Sequence, residues 1–132
     1  MVVNDAAVVD ASALVELLLG TEHGSRVSAA FSRFAALHAP AHLDAEVLSA
    51  LGRLHRAGRL KPREVSRRLQ LLSDAPIERH PLASLVTGAW SRRDRLRLVD
   101  ALYVELSDRL GAALLTTDAR LATAAGIEAI SV

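Results

Sequence analysis

The chain has 132 residues with 51% apolar side chains and a net charge of +1, enough for one well-filled domain and too balanced for whole-molecule attraction to nucleic acid. It has no cysteine, which excludes disulfides, zinc fingers and thiol catalysis. Aromatic residues make up only 3%, which argues against a base-stacking sheet surface.

In chain order, the apolar run AAVV (6–9) is too short for a helix and predicts a buried strand. Residues 12–19 predict a helix stopped by Gly20, and 23–35 a second one. ALHAP (36–40) reads as a strand closed by Pro40, and 42–57 as a helix ending before Gly58. The segment 61–74 is a helix opened by Pro62, at a position where proline is tolerated. PIERH (76–80) predicts a strand, 81–93 a helix, and 99–111 a helix with Gly111 as its stop. AALLTTD (112–118) is a buried strand running into a turn, 119–126 a helical piece, and 127–132 a last strand. Strands separated by helices predict an α/β fold: a parallel sheet of about five strands between helix layers, with residues 1–132 as a single domain. No basic N-terminal region or long apolar window is present, so a soluble cytoplasmic protein is expected.

Ligands of such sheets bind beyond the carboxyl ends of the strands. Asp10 follows the first strand directly and Asp118 follows AALL, so both project from one sheet edge. Each also reads as a helix N-cap, as does Asp100. On helix 42–57 the apolar stripe Leu43, Val47, Ala50, Leu51 and Leu54 leaves Glu46 on one flank and Asp44 on the other, and spacing does not choose between them. Unit charges about 4 Å apart repel by about 4 kcal/mol at an effective dielectric of about 20. Carboxylates therefore gather only around a cation or by taking up protons.

Basic residues concentrate in 53–68, seven Arg or Lys against one Glu, and again in 91–97. Fifteen of the sixteen basic residues are Arg, so compositional bias competes with phosphate binding as their explanation. The five histidines (23, 38, 42, 55 and 80) show no metal-ligand spacing and read as structural or surface residues.

The order VVDASAL (8–14), HLDAEVLSAL (42–51), LVDALYVEL (98–106) and LLTTDARLA (114–122) resembles the PIN-domain ribonucleases, and within them the VapC toxins of toxin–antitoxin pairs. The resemblance implies a metal-dependent endoribonuclease that leaves 5′-phosphate and 3′-hydroxyl ends. Its acidic quartet falls on Asp10, Glu46, Asp100 and Asp118, as catalytic residues and ligands of Mg²⁺ or Mn²⁺; it prefers Glu46 over Asp44. Ser12 and Thr116 match hydroxyl residues that orient the carboxylates or a water, with Thr117 an alternative to Thr116. It further implies an RNA substrate, a VapB-like antitoxin and a homodimer. An RNA-processing nuclease without a toxin role, or a non-catalytic module of the same fold, are the alternatives. A phosphate-accepting receiver domain fits poorly, because the one lysine, Lys61, lies mid-chain.

Overall fold

In the computed structural model, which describes residues 5–126 and 128–132, the chain alternates short strands with helices. Strands β1 (Ala6–Val9), β2 (Ala36–Pro40), β3 (Ile77–His80), β4 (Ala113–Thr116) and β5 (Ala129–Ser131) form one parallel sheet in the order β3-β2-β1-β4-β5. Helices α1 (Ala11–Leu19), α2 (Glu22–Phe31), α3 (Leu43–Arg56) and α4 (Pro62–Asp74) connect the first three strands. Helices α5 (Val86–Trp90), α6 (Leu98–Leu110) and α7 (Ala119–Ala124) connect the last three. Right-handed crossovers place α1–α4 on one face, and α5–α7 on the other, because the chain reverses direction across the sheet after β3. Ile127, where the sequence reading began its last strand, lies outside the described residues, as do residues 1–4.

β1 is central and hydrogen-bonded on both sides, which is why it is all apolar: Ala7, Val8 and Val9 are fully buried. On α3, Leu43, Val47 and Leu51 form the buried stripe. Gly20 ends α1 in the left-handed conformation, its N–H returning to the Glu16 and Leu17 carbonyls. Gly24 lets α2 press against α1; a Cβ there would meet the Glu16 carbonyl oxygen at 2.3 Å.

Two helices are shorter than the spacing predicts. α2 stops at Phe31, and 32–35 form the turn that delivers β2. The segment 81–93 is helical only over Val86–Trp90, because Pro81 starts a turn and Leu85 is buried before the helix begins. Among the described residues no helix is long and apolar enough to cross a membrane.

Candidate active site

The chain runs from β1 outward to β2 and β3 and returns to β4 on the other side of β1, so a crevice opens at the carboxyl ends of β1 and β4. Asp10 and Asp118 follow those two strands. Asp10 is only 5% exposed. Its Oδ1 accepts from the Ala13 N–H (3.0 Å), capping α1, and from the Ser12 hydroxyl (2.7 Å). Its Oδ2 accepts from the Thr116 hydroxyl at 2.5 Å. Oδ1 has thus used both lone pairs and Oδ2 one, leaving Oδ2 an open acceptor position.

Burial pushes the Asp10 carboxyl up from 3.8 to about 6; the bonds from Thr116, Ala13 and Ser12 pull it down, and the charge of Asp100 pushes it up. Asp100 stands in the first turn of α6, after the actual N-cap, Arg97, so it does not cap that helix; Arg97 Nε lies 3.3 Å from its Oδ2. Asp118 caps α7, accepting from the N–H groups of Arg120 (2.9 Å) and Leu121 (3.2 Å). Its own N–H donates to Thr116 Oγ1 (2.9 Å), so a single hydroxyl joins Asp10 to Asp118. Ser12 Oγ lies 3.4 Å from Thr116 Oγ1 and accepts from the Thr117 N–H (3.2 Å). Thr117 takes part through its backbone. Asp100 and Asp118 line one cavity of about 240 Å³ with Arg95, Arg97 and Arg120.

Glu46 enters from α3. Its Oε1 accepts from the Tyr103 hydroxyl at 2.6 Å and lies 3.5 Å from His42 Nε2. Tyr103 is 1% exposed, and burial, the bond to Glu46 and the charges of Glu46 and Asp10 push its hydroxyl well above the usual range. It therefore stays a donor. Asp44, on the other flank of α3, pairs with Arg79 at 3.0 Å. Sequence reasoning missed Tyr103 and passed over His42. The signal for Tyr103 was its place three residues after Asp100, which puts both on one side of α6. His42 packs on the Tyr103 ring (4.6 Å between centroids) and its Nε2 lies 3.1 Å from the Val99 carbonyl oxygen.

The two basic clusters divide by position. Arg53 and Arg56 belong to the last turn of α3, about 10 and about 15 Å along the axis from Glu46. Arg92 is taken up by Glu105 (3.1 Å) and Asp108 (2.9 Å), and Arg93 lies over the Trp90 ring. Arg95 and Arg97 remain at the acidic cavity, joined by Arg120 from α7.

The PIN domain family matches residues 7–127. Ribonuclease VapC3 of Mycobacterium tuberculosis is 58% identical over 122 residues, which cover 91% of this chain and 88% of that protein. Ribonuclease VapC9 of the same species is 37% identical over 114 residues, covering 86% and 87%. Among solved structures, PAE2754 from Pyrobaculum aerophilum superposes with a TM-score of 0.69 at 26% identity, over 96% of this chain and 83% of its own. M. tuberculosis VapC20, a sarcin–ricin-loop-cleaving toxin, superposes with a TM-score of 0.72 at 18% identity, over 96% and 98%, a likeness of fold. With its parallel five-stranded sheet and a family match across nearly all its length, this chain belongs to the PIN-domain family and, within it, to the VapC ribonucleases.

Proposed function

We propose that residues 1–132 work as one PIN domain, a divalent-metal-dependent endoribonuclease that acts as the toxin of a toxin–antitoxin pair. The observation that carries this reading is the linked acidic set at one sheet edge: Asp10 and Asp118 joined through Thr116, Asp100 sharing a cavity with Asp118, and Glu46 held by Tyr103. Close relatives named as ribonucleases support the substrate class.

The donor set is all oxygen, the chemistry that suits Mg²⁺ or Mn²⁺. Asp10 supports the fit, because its carboxyl is raised by burial and by Asp100 and keeps an open acceptor position on Oδ2. Asp10, Asp100, Asp118 and Glu46 would hold the cation. When bound, it eases deprotonation of water and offsets charge on the scissile phosphate. The chain supplies the rest. Ser12 and Thr116 fix the rotamer of Asp10, and Tyr103 fixes that of Glu46. Arg95, Arg97 and Arg120 bind the RNA backbone at the cavity rim.

The partners of this reading are RNA, a VapB-like antitoxin and a second copy of the chain. An apolar groove floored by Val15, Leu19, Leu54 and Leu60 supports a partner segment on α1 and α3. The exposed patch of Val86, Trp90, Leu98 and Val99 supports self-association.

Purified, antitoxin-free protein incubated with total cellular RNA, with Mg²⁺, Mn²⁺ or EDTA, tests the reading by mapping of new 5′ ends. Discrete metal-dependent cuts that vanish in Asp10→Asn are expected. Metal-independent cutting, or a fully active Asp10→Asn protein, would overturn it.

A further inference from the structure

Two of the five histidines do what sequence spacing did not reveal. In the parallel pairing of β2 with β3, His38 stands opposite Glu78, and His80 is two residues further along the same strand. Side chains alternate along a strand, so Glu78 and His80 share a face. That face is the one opposite Arg79, whose guanidinium reaches Asp44 of α3 and the Leu72 carbonyl of α4. The register therefore gathers an imidazole, a carboxylate and a second imidazole on one side of the sheet edge.

Their donor atoms converge. His38 Nδ1 lies 2.9 Å from His80 Nε2 and 3.3 Å from Glu78 Oε2, and His80 Nε2 lies 4.0 Å from Glu78 Oε2. A tetrahedral ion with ligand bonds of about 2.0–2.2 Å separates its donors by about 3.3–3.6 Å. The three observed separations bracket that spacing. The two imidazole nitrogens can share a single proton as a hydrogen bond, or both can turn their lone pairs to one cation. The histidines are largely buried, 15% and 23% exposed at the side chain, whereas Glu78 is 66% exposed and leaves the fourth direction open to solvent.

We propose that His38, Glu78 and His80 form a second cation site, which takes a divalent transition metal of the zinc type and clips edge strand β3 to β2. Nitrogen ligands select such ions over Mg²⁺, so this site and the all-oxygen carboxylate site take different metals. Among the described residues β3 is an edge strand of four residues paired with β2 alone, and a cross-strand ion adds a tie where that backbone pairing is one-sided. The site lies one and two strands away from β1 and does not depend on the nuclease reading.

Calorimetric titration of tag-free protein with Zn²⁺, in excess Mg²⁺, tests the site, with the Co²⁺ absorption spectrum as a report of its ligands. The panel is the unsubstituted chain, His38→Ala, His80→Ala, Glu78→Gln and Asp10→Asn. One equivalent of Zn²⁺ is expected to bind the unsubstituted and Asp10→Asn proteins alike. Each histidine substitution should weaken it by about 10–100-fold or more. Glu78→Gln changes an exposed side chain, keeps the fold, and should weaken binding while shifting the Co²⁺ spectrum. Zn²⁺ should also slow amide exchange over 77–80 in the unsubstituted chain but not in His80→Ala. Binding unchanged across the His38, His80 and Glu78 variants, or abolished by Asp10→Asn, would overturn the site. Binding without slowed exchange would overturn the clip.

Discussion

The Tyr103 hydroxyl donates to Glu46 Oε1 at 2.6 Å and so ties α6 to α3 across the carboxyl edge of the sheet. Those helices come from opposite layers, and among the described residues the polar partners of Glu46 are this phenol and the nearby His42. Tyr103→Phe keeps the ring packing and removes the bond. Stability should fall by about 1 kcal/mol, and RNA cleavage by roughly tenfold, because Glu46 then loses the bond that fixes its carboxylate. Urea melts beside cleavage rates check this; unchanged cleavage would mean that Glu46 is held by other means.

Asp10 makes the site costly to the fold. Its carboxyl titrates at about 6 in the folded chain against 3.8 ordinarily, so between these values the folded state binds more protons than the unfolded one. Stability therefore rises as pH falls through that window, and the penalty for the buried charge is complete above about pH 6. Asp10→Asn removes the charge. In EDTA at pH 7.5 this variant should exceed the unsubstituted protein by about 1–3 kcal/mol, with the gap closing toward pH 4. A pH series of urea melts would show it; a variant less stable at pH 7.5 contradicts it.

Thr116 is fully buried and serves both Asp10 and Asp118. Thr116→Val keeps the shape, strands the Asp118 N–H, and removes a bond that holds the Asp10 carboxyl down. About 1–3 kcal/mol of stability should be lost. The acidic limb of the pH–rate profile should move to higher pH, which a purely structural defect would not produce.

The arginines should separate into two classes. Arg92→Ala leaves buried Glu105 with Arg109 as its remaining ion-pair partner and should lose about 2 kcal/mol, read by thermal melts. Arg95→Ala and Arg120→Ala should leave stability nearly unchanged. Each should weaken RNA binding and lower the slope of log affinity against log salt by about 0.7. Equal salt slopes in all variants would remove these two from the RNA path.

The strands and the sheet edge were legible because β1 and the start of β4 are apolar runs with an acid close behind, Asp10 directly after β1 and Asp118 two residues after Thr116 ends β4. The capping reading of Asp10 and Asp118 and their gathering at one edge are both true: in each a single oxygen, Oδ1, makes the cap, and Asp10 Oδ2 accepts from Thr116 with one acceptor position left. Asp44 and Glu46 could not be separated by helical spacing, because the difference lies in non-local partners, Arg79 for one and Tyr103 for the other. The His38, Glu78 and His80 cluster was invisible for the same reason: 42 residues separate the two histidines, and only the β2–β3 register joins them. The helix over 81–93 was overextended because apolar spacing there serves a buried turn at Leu85 as well as α5.

The most direct test of the account is the cleavage rate of one mapped RNA site, in Mn²⁺, by Asp10→Asn, Glu46→Gln, Asp100→Asn and Asp118→Asn, with Asp44→Asn as the control on the opposite flank of α3. The account predicts that all four lose cleavage while folding normally, and that Asp44→Asn retains it. Cleavage at an undiminished rate by Asp10→Asn or Asp100→Asn, or its loss in Asp44→Asn alone, would contradict it.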